Sequence, residues 1–116
     1  MASNELIKGM IKPIILKFLE ENNRMYGYEI TQKVEELTQG EIKLTFGALY
    51  PILHKLESDG IVETEIEMVN NRARVYYKLT NDGNHSAKIK IEELKEFVKV
   101  LSALLNPSTN ISPCTA

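Results

Sequence analysis

Two short stretches in the middle of the chain alternate apolar and charged side chains with a period of two. They cover residues 62–68 and 74–79, and this alternation is typical of β-strands that bury one face. Asn70 and Asn71 stand between them, and asparagine tolerates the positive φ angles of a tight turn. The sequence therefore predicts a β-hairpin in the middle of the chain.

Three helical segments precede the hairpin, because apolar residues recur there at intervals of three and four. Ser3 or Asn4 can cap the first segment with a short polar side chain, and Gly60 can end the third in the left-handed conformation. Pro13 removes one backbone hydrogen bond, so we expect a kink at this point or the start of another helix. The predicted helices cover residues 4–22, 26–37 and 45–58.

Each of these helices has an apolar face that we expect to point inward. On the second helix the spacing selects Ile30, Val34 and Leu37. On the third helix the inward face is predicted to comprise Phe46, Leu49, Ile52, Leu53 and Leu56.

The segment after the hairpin carries a heptad repeat of apolar residues. Thr80 can cap this helix and Pro107 ends it, and a helix over residues 81–105 extends roughly 38 Å. Its apolar stripe would be a large exposed patch in a monomer, so a second copy of the chain is the simplest cover. The alternative is that the helix folds back on the first helix of its own chain. The predicted dimer interface comprises Leu6, Met10, Ile91, Leu94, Phe97, Val98, Leu101 and Leu105.

This order of elements predicts a mainly α (α+β) fold, namely a winged helix-turn-helix with a long C-terminal dimerisation helix. Residues 1–80 would form the winged helix-turn-helix DNA-binding domain, residues 81–105 the dimerisation helix and residues 106–116 a disordered tail. The third helix is then the natural reader of the DNA major groove, which is about 12 Å wide and admits one helix. The hairpin is the wing.

Candidate DNA contacts are the third-helix positions that point away from the core. Small residues at its start let the backbone approach DNA, and a helix N-terminus favours anions. The second helix begins at Tyr26, and its first turn could also hold a phosphate. The wing carries two arginines near its tip. The predicted DNA-binding residues are Tyr26, Thr45, Gly47, Ala48, Tyr50, His54, Lys55, Arg72 and Arg74.

Charge leaves an alternative open for the wing and for the function. Glutamates occupy the opposite arm of the hairpin, and opposite charges across two strands pair on an exposed face. Arg72, near the tip, is the arginine least neutralised in this way. The net charge is −2 and the pI is about 5.7, whereas DNA-binding domains are usually basic. A winged helix that binds another protein instead of DNA therefore remains an alternative.

Composition argues for one intracellular domain without catalytic chemistry. The chain has 116 residues and a single cysteine, so it forms no internal disulfide, and a cytoplasmic location is the default expectation. No stretch has the roughly 20 apolar residues of a membrane helix, and the first residues lack the pattern of a secretory signal. His54 and His85 stand apart from any nucleophile or metal-ligand set, so we expect no enzyme, no metal and no cofactor.

Several motifs, taken in their order along the chain, resemble the PadR family of transcriptional regulators and span about residues 5–105. They are YGYEI at 26–30, GALYPILHKLE at 47–57, DGI at 59–61, RARVYYKLT at 72–80 and DG at 82–83. The resemblance implies a winged helix followed by a dimerising helix, with Pro51 inside the recognition helix. It also implies a repressor that binds double-stranded DNA as a homodimer. A two-fold dimer predicts an inverted-repeat operator with half-sites about one helical turn apart.

The same resemblance implies that a small-molecule effector of unknown identity, or a stress signal, relieves repression. Some members seat planar aromatic ligands at the dimer interface with a tryptophan, and this chain has no tryptophan. That mode of ligand binding is therefore not expected here. A ligand sensor could instead use a pocket lined by Met10, Ile14, Phe97 and Leu101, although residues of this kind more often form plain core.

Overall fold

The computed structural model describes the backbone of residues 4–106 and the side chains of residues 8–106. The elements in this part of the chain are α1 (Asn4–Glu21), β1 (Met25–Tyr26), α2 (Gly27–Leu37), α3 (Phe46–Ser58), β2 (Val62–Val69), β3 (Arg72–Leu79) and α4 (Asn81–Leu105). The side chain of Leu6 and the tail beyond Asn106 lie outside the described residues. No helix in the described part is long and apolar enough to cross a membrane.

The hairpin forms one antiparallel sheet with a short strand that precedes α2. The strand order is β1-β3-β2, and the register of the hairpin runs from Val62↔Leu79 to Val69↔Arg72. Asn70 and Asn71 form the tip with φ angles of 51° and 63°, which confirms the predicted turn. Three helices followed by this wing confirm the winged helix-turn-helix.

The core lies between α1, α2, α3 and the inner side of the sheet. Its largest fully buried side chains are Ile11, Ile15, Leu16, Ile30, Leu49, Leu53, Leu56 and Val62. Two predicted inward residues are wrong, because Leu37 is 66% exposed and Phe46 is 48% exposed. Leu37 is the last residue of α2, and Phe46 is the first residue of α3. Leu44, in the loop between these two helices, is buried in the core.

Two prolines lie inside helices, and each follows a glycine by four residues. α1 continues through Pro13, so the further helix considered at this point does not form, and α3 continues through Pro51. A proline ring inside a helix crowds the carbonyl of residue i−4, which belongs to Gly9 in α1 and Gly47 in α3. A Cβ on Gly9 would meet nothing within 4 Å, and one on Gly47 would meet only Thr45 Oγ1 at 3.9 Å.

The start of α4 is fastened to the turn that ends α3. The Thr80 hydroxyl accepts a hydrogen bond from the Gly83 N–H at 2.9 Å and donates to the Gly60 carbonyl at 2.7 Å. The Thr80 N–H donates to the Ile61 carbonyl at 3.0 Å. A Cβ on Gly83 would lie 2.8 Å from the Ile61 carbonyl carbon, so only glycine fits here. We call this contact the α3–α4 junction.

The first half of α4 packs on α1 of its own chain, and the second half does not. Gly83, Ala87 and Ile91 are buried, whereas Phe97 is 56% and Leu104 is 73% exposed. The helix therefore does fold back on α1, as the alternative proposed, but only over its first three turns or so.

Candidate nucleic-acid interface

Aromatic rings form a row along the outer face of α3. Leu49, Leu53 and Leu56 bury the opposite face. Phe46, Tyr50 and His54 follow one another at intervals of four residues, and the ring centroids are 5.7 Å and 6.1 Å apart. Residues four apart lie on the same face of a helix. The predicted contacts Tyr50 and His54 therefore share one face with Phe46.

The beginning of α3 presents small side chains and backbone to its surroundings. Thr45 precedes the helix, and its hydroxyl accepts a hydrogen bond from the Ala48 N–H at 3.2 Å. Thr45 and Gly47 are exposed and Ala48 is half-buried. A Cβ on Gly47 would point into open space. Nothing in the described part of the chain prevents a ligand from approaching the helix backbone here.

Tyr50 is held partly against α2 and is not free to extend outward. A Cβ on Gly27 would lie 2.8 Å from Tyr50 Cζ and nearer still to its hydroxyl oxygen. The phenol therefore packs directly on the first residue of α2. Burial, together with the nearby Tyr50, raises the pKa of Tyr77 beside it. Tyr50 sets the distance between the two helices of the helix-turn-helix.

The remaining polar groups of α3 are exposed. Lys55 forms an ion pair with Asp59 at 3.2 Å, but its side chain is 74% exposed. An exposed i,i+4 pair contributes only about 0.3–0.5 kcal/mol. His54 is exposed as well. Lys55 can therefore leave Asp59 for a phosphate at little cost.

The wing tip carries one uncommitted cation. Arg72 is exposed, and among the described residues its side chain has no hydrogen bond or ion pair. It stands directly after the two asparagines of the tip, opposite Val69. The alternative, in which opposite charges pair across the two strands of the wing, therefore does not apply to Arg72.

Arg74 and Tyr26 belong to a cluster that joins β1 to the wing. The Arg74 guanidinium lies 4.2 Å from the centroid of the Tyr26 ring, and its Nη1 donates to the Tyr76 hydroxyl at 3.4 Å. The Tyr26 and Tyr76 rings meet edge to face at 5.4 Å. Tyr26 is half-buried, and its N–H donates to the Glu29 carboxylate at 3.1 Å. This N–H is therefore not available to a phosphate.

Arg24 completes the same cluster, which we call the wing clamp (Arg24, Tyr26, Glu65, Glu67, Arg74, Tyr76 and Lys78). Its guanidinium donates to Glu67 at 3.0 Å and to Glu65 at 3.1 Å, and it lies 3.8 Å from the centroid of the Tyr76 ring. Lys78 contacts the other oxygen of Glu65 at 2.7 Å. The hydrogen bonds from Lys78 and Arg24 lower the pKa of Glu65. The clamp fixes the wing relative to α2 and neutralises Glu65 and Glu67.

A cleft of about 860 Å³ separates the recognition helix from the wing. Both predicted groups of DNA contacts meet there, because α3 supplies Tyr50 and His54 while β3 supplies Arg72 and Arg74. The complete lining is Tyr26, Tyr50, His54, Val69, Asn70, Arg72, Ala73, Arg74, Val75 and Tyr77. Four predicted contacts do not line this cleft, namely Thr45 at the N-cap of α3 and Gly47, Ala48 and Lys55 within the helix.

The described residues predicted for a dimer interface fall into three groups by burial. Ile91 is only 6% exposed because it packs in the core of its own chain, so almost none of its side chain remains for a partner. Met10 and Leu94 are half-buried. The exposed group comprises Phe97 at 56%, Val98 at 54%, Leu101 at 39% and Leu105 at 69%.

Sequence reasoning missed three features of this surface. The ion pairs of Arg24 with the wing were not predicted, since charge spacing cannot reveal partners 41 and 43 residues away. Phe46 was assigned to the core because its spacing to Leu49 fits an inward face. Gly27 gave no signal, because the need for a residue without a Cβ arises only when Tyr50 packs against it.

Comparison with known proteins gives consistent matches over most of the chain. The profile of the transcriptional regulator PadR-like family matches residues 15–89. A transcriptional regulator of Mycobacterium tuberculosis is 39% identical over 62 residues, which cover 53% of this chain and 55% of that protein.

Solved structures share the fold beyond the winged helix itself. A transcriptional regulator from Clostridium thermocellum matches with a TM-score of 0.76 and 29% identity, covering 88% of this chain and 96% of that one. A PadR-like transcription factor from Bacteroides fragilis matches with a TM-score of 0.70 and 27% identity, covering 86% of this chain and 94% of that one.

Proposed function

Because the chain belongs to the transcriptional regulator PadR-like family, we propose that it is a repressor that binds an inverted-repeat operator as a homodimer. The family membership expected from the motifs is confirmed, and it implies regulation through DNA binding. The observation that carries the proposal is the cleft between α3 and the wing, where the outer face of α3 and the free arginine of the wing tip face the same space.

The DNA contacts that we propose are of two kinds. The start of α3 would approach the base edges in the major groove, since recognition helices use their N-terminal residues for this purpose. Gly47 and Ala48 permit the close approach. Arg72 and Lys55 would bind phosphates, because one has no partner among the described residues and the other has a weak one. We assign Tyr50 and Tyr26 to holding the interface in shape.

Dimerisation would follow from the second half of α4. Nothing in the described part of its own chain covers its exposed apolar stripe, which continues beyond the region that α1 protects. Apolar residues spaced by three and four over this length are typical of helices that pair. A two-fold pair of chains would present two recognition helices to one face of the DNA.

Selection of fragments from genomic DNA, followed by affinity measurements across a salt series, tests the DNA part. We expect an inverted repeat to be enriched and its affinity to fall steeply as salt rises, because phosphate binding releases counterions. Arg72→Ala should reduce the slope of log affinity against log salt concentration by about 1 for each arginine that binds a phosphate. Lys88→Ala, which removes an exposed cation of α4, serves as the control and should keep the full slope. Failure of any fragment to be enriched at low salt would favour the protein-binding alternative.

Sedimentation velocity tests the dimer. Leu101→Glu places a carboxylate in the exposed stripe and should give monomers, since burying an unpaired charge at an interface is unfavourable. Lys99→Glu adds the same group on the opposite side of α4 and should leave the dimer intact. Because Leu101 is exposed in the single chain, the fold should survive the change. An unchanged dimer in Leu101→Glu would remove α4 from the interface.

Repression itself is tested with a reporter gene whose promoter contains the selected operator. Expression should fall when the wild-type chain is produced and should stay high with the monomeric Leu101→Glu variant. We place the response to an effector or stress signal at the dimer interface, since the family resemblance implies such a signal and α4 is fastened to α3. Increased expression with the wild-type chain would show an activator instead.

A further inference from the structure

The first turn of the recognition helix exposes about half of an aromatic side chain. Phe46 is the first residue of α3 and is 48% exposed. Its ring lies tilted against the Tyr50 ring, with the two centroids 5.7 Å apart. Exposing a large apolar side chain at this position forfeits the free energy of burial. A ligand that covers the ring would recover it.

The side chains around this ring offer few polar groups for reading bases. Phe46, Gly47 and Pro51 are exposed among residues 46–51, whereas Ala48 and Tyr50 are half-buried against the core. Their only side-chain polar atom is the Tyr50 hydroxyl, which lies against Gly27. The Thr45 hydroxyl already accepts the Ala48 N–H. The end of α3 that should enter the groove is therefore mainly apolar.

In the major groove the distinctive apolar group on a base edge is the C5-methyl of thymine, and phenylalanine and alanine side chains contact it. Resting on the proposed DNA binding, we propose that Phe46 reads a thymine methyl group in each half-site. Specificity at these base pairs then comes from an apolar contact instead of a hydrogen bond. Gly47 beside it lets the helix backbone come close enough for the contact.

Replacement of thymine by deoxyuridine tests this reading, since deoxyuridine keeps the base pair and lacks only the methyl group. The probe is a duplex recovered by the wild-type protein from a random-sequence pool, remade with each thymine replaced in turn. Wild-type affinity should fall about four-fold for each methyl group contacted, at positions related by the two-fold symmetry. Phe46→Ala should bind the thymine and deoxyuridine duplexes equally at those positions.

Leu37→Ala is the matched control, because it truncates another exposed apolar side chain, at the far end of α2. It should discriminate between thymine and deoxyuridine as the wild type does. Indifference of the wild type to every replacement, or full discrimination by Phe46→Ala, would overturn the inference while DNA binding stands. If the pool yields no bound duplex, the proposed function fails first and this inference fails with it. Sedimentation of Phe46→Ala should show the wild-type dimer, since loss of the dimer would mean that Phe46 faces a second chain.

Discussion

Gly47→Ala should raise the stability of the protein and lower its affinity for DNA. A Cβ at this position meets no atom of the described chain closer than 3.9 Å, so the free protein accommodates a methyl group. The same methyl group would project from the first turn of α3, where the proposed interface brings the DNA nearest. The two properties should therefore change in opposite directions.

The expected sizes follow from the surroundings of the residue. Glycine inside a helix is less stable than alanine by roughly 0.5–1 kcal/mol, and near a helix end the gain from alanine should be at the lower limit. This corresponds to a rise of a few degrees in Tm. A methyl group forced into a filled contact costs about 1–3 kcal/mol, so each occupied half-site should lose affinity by about 5-fold to 140-fold.

Gly9→Ala provides a matched control, because Gly9 also precedes a helical proline by four residues and also has open space around it. Thermal unfolding of both variants should show higher Tm values. Binding of a selected operator, followed by fluorescence anisotropy, should weaken only for Gly47→Ala. Wild-type affinity in Gly47→Ala would mean that DNA does not approach the first turn of α3, and the proposed orientation would be wrong.

Three further predictions concern the contacts that hold the interface. Gly83→Ala should strongly lower the urea concentration at the midpoint of unfolding, because its Cβ would collide with the Ile61 backbone. An unchanged midpoint would show that the α3–α4 junction can shift to accommodate the methyl group. Gly27→Ala should also lower the free energy of unfolding, because its Cβ would collide with the Tyr50 side chain. Adding Tyr50→Leu should restore part of that free energy. Full additivity of the two changes in a double-mutant cycle would refute the contact between Gly27 and Tyr50. The lowered pKa of Glu65 predicts stability that is present above its ordinary pKa of 4.5 and lost as pH falls through the lowered value. Glu65→Gln should remove that part of the pH dependence between pH 6 and 2, and an identical pH profile would dismiss the pairing.

The features that the sequence predicted well are those with a local signal. The hairpin follows from alternation, its tip from two adjacent asparagines, and the cap at Thr80 from a short polar side chain before an apolar run. α3 continues through Pro51, as the resemblance to the family implied. Each of these features depends on residues within a few positions of one another.

The features that the sequence did not predict depend on distant contacts. β1 has two residues, which is too short for any periodic pattern, and it exists because β3 offers an edge. The wing clamp depends on Arg24 reaching glutamates of β2. Phe46 is exposed while Leu44, two residues earlier, takes the place in the core. Periodicity describes one element at a time, so it cannot locate the end of a neighbouring element.

The α3–α4 junction couples the orientation of α4 to that of α3. α4 is roughly 38 Å long, so turning it by about five degrees displaces its far end by about 3 Å. That displacement is close to the roughly 3.4 Å between successive bases along a DNA strand. In the proposed dimer, the crossing angle of the two α4 helices would therefore set the spacing between half-sites. A substitution in the exposed stripe could then change which operator spacing is bound without altering any residue that touches DNA.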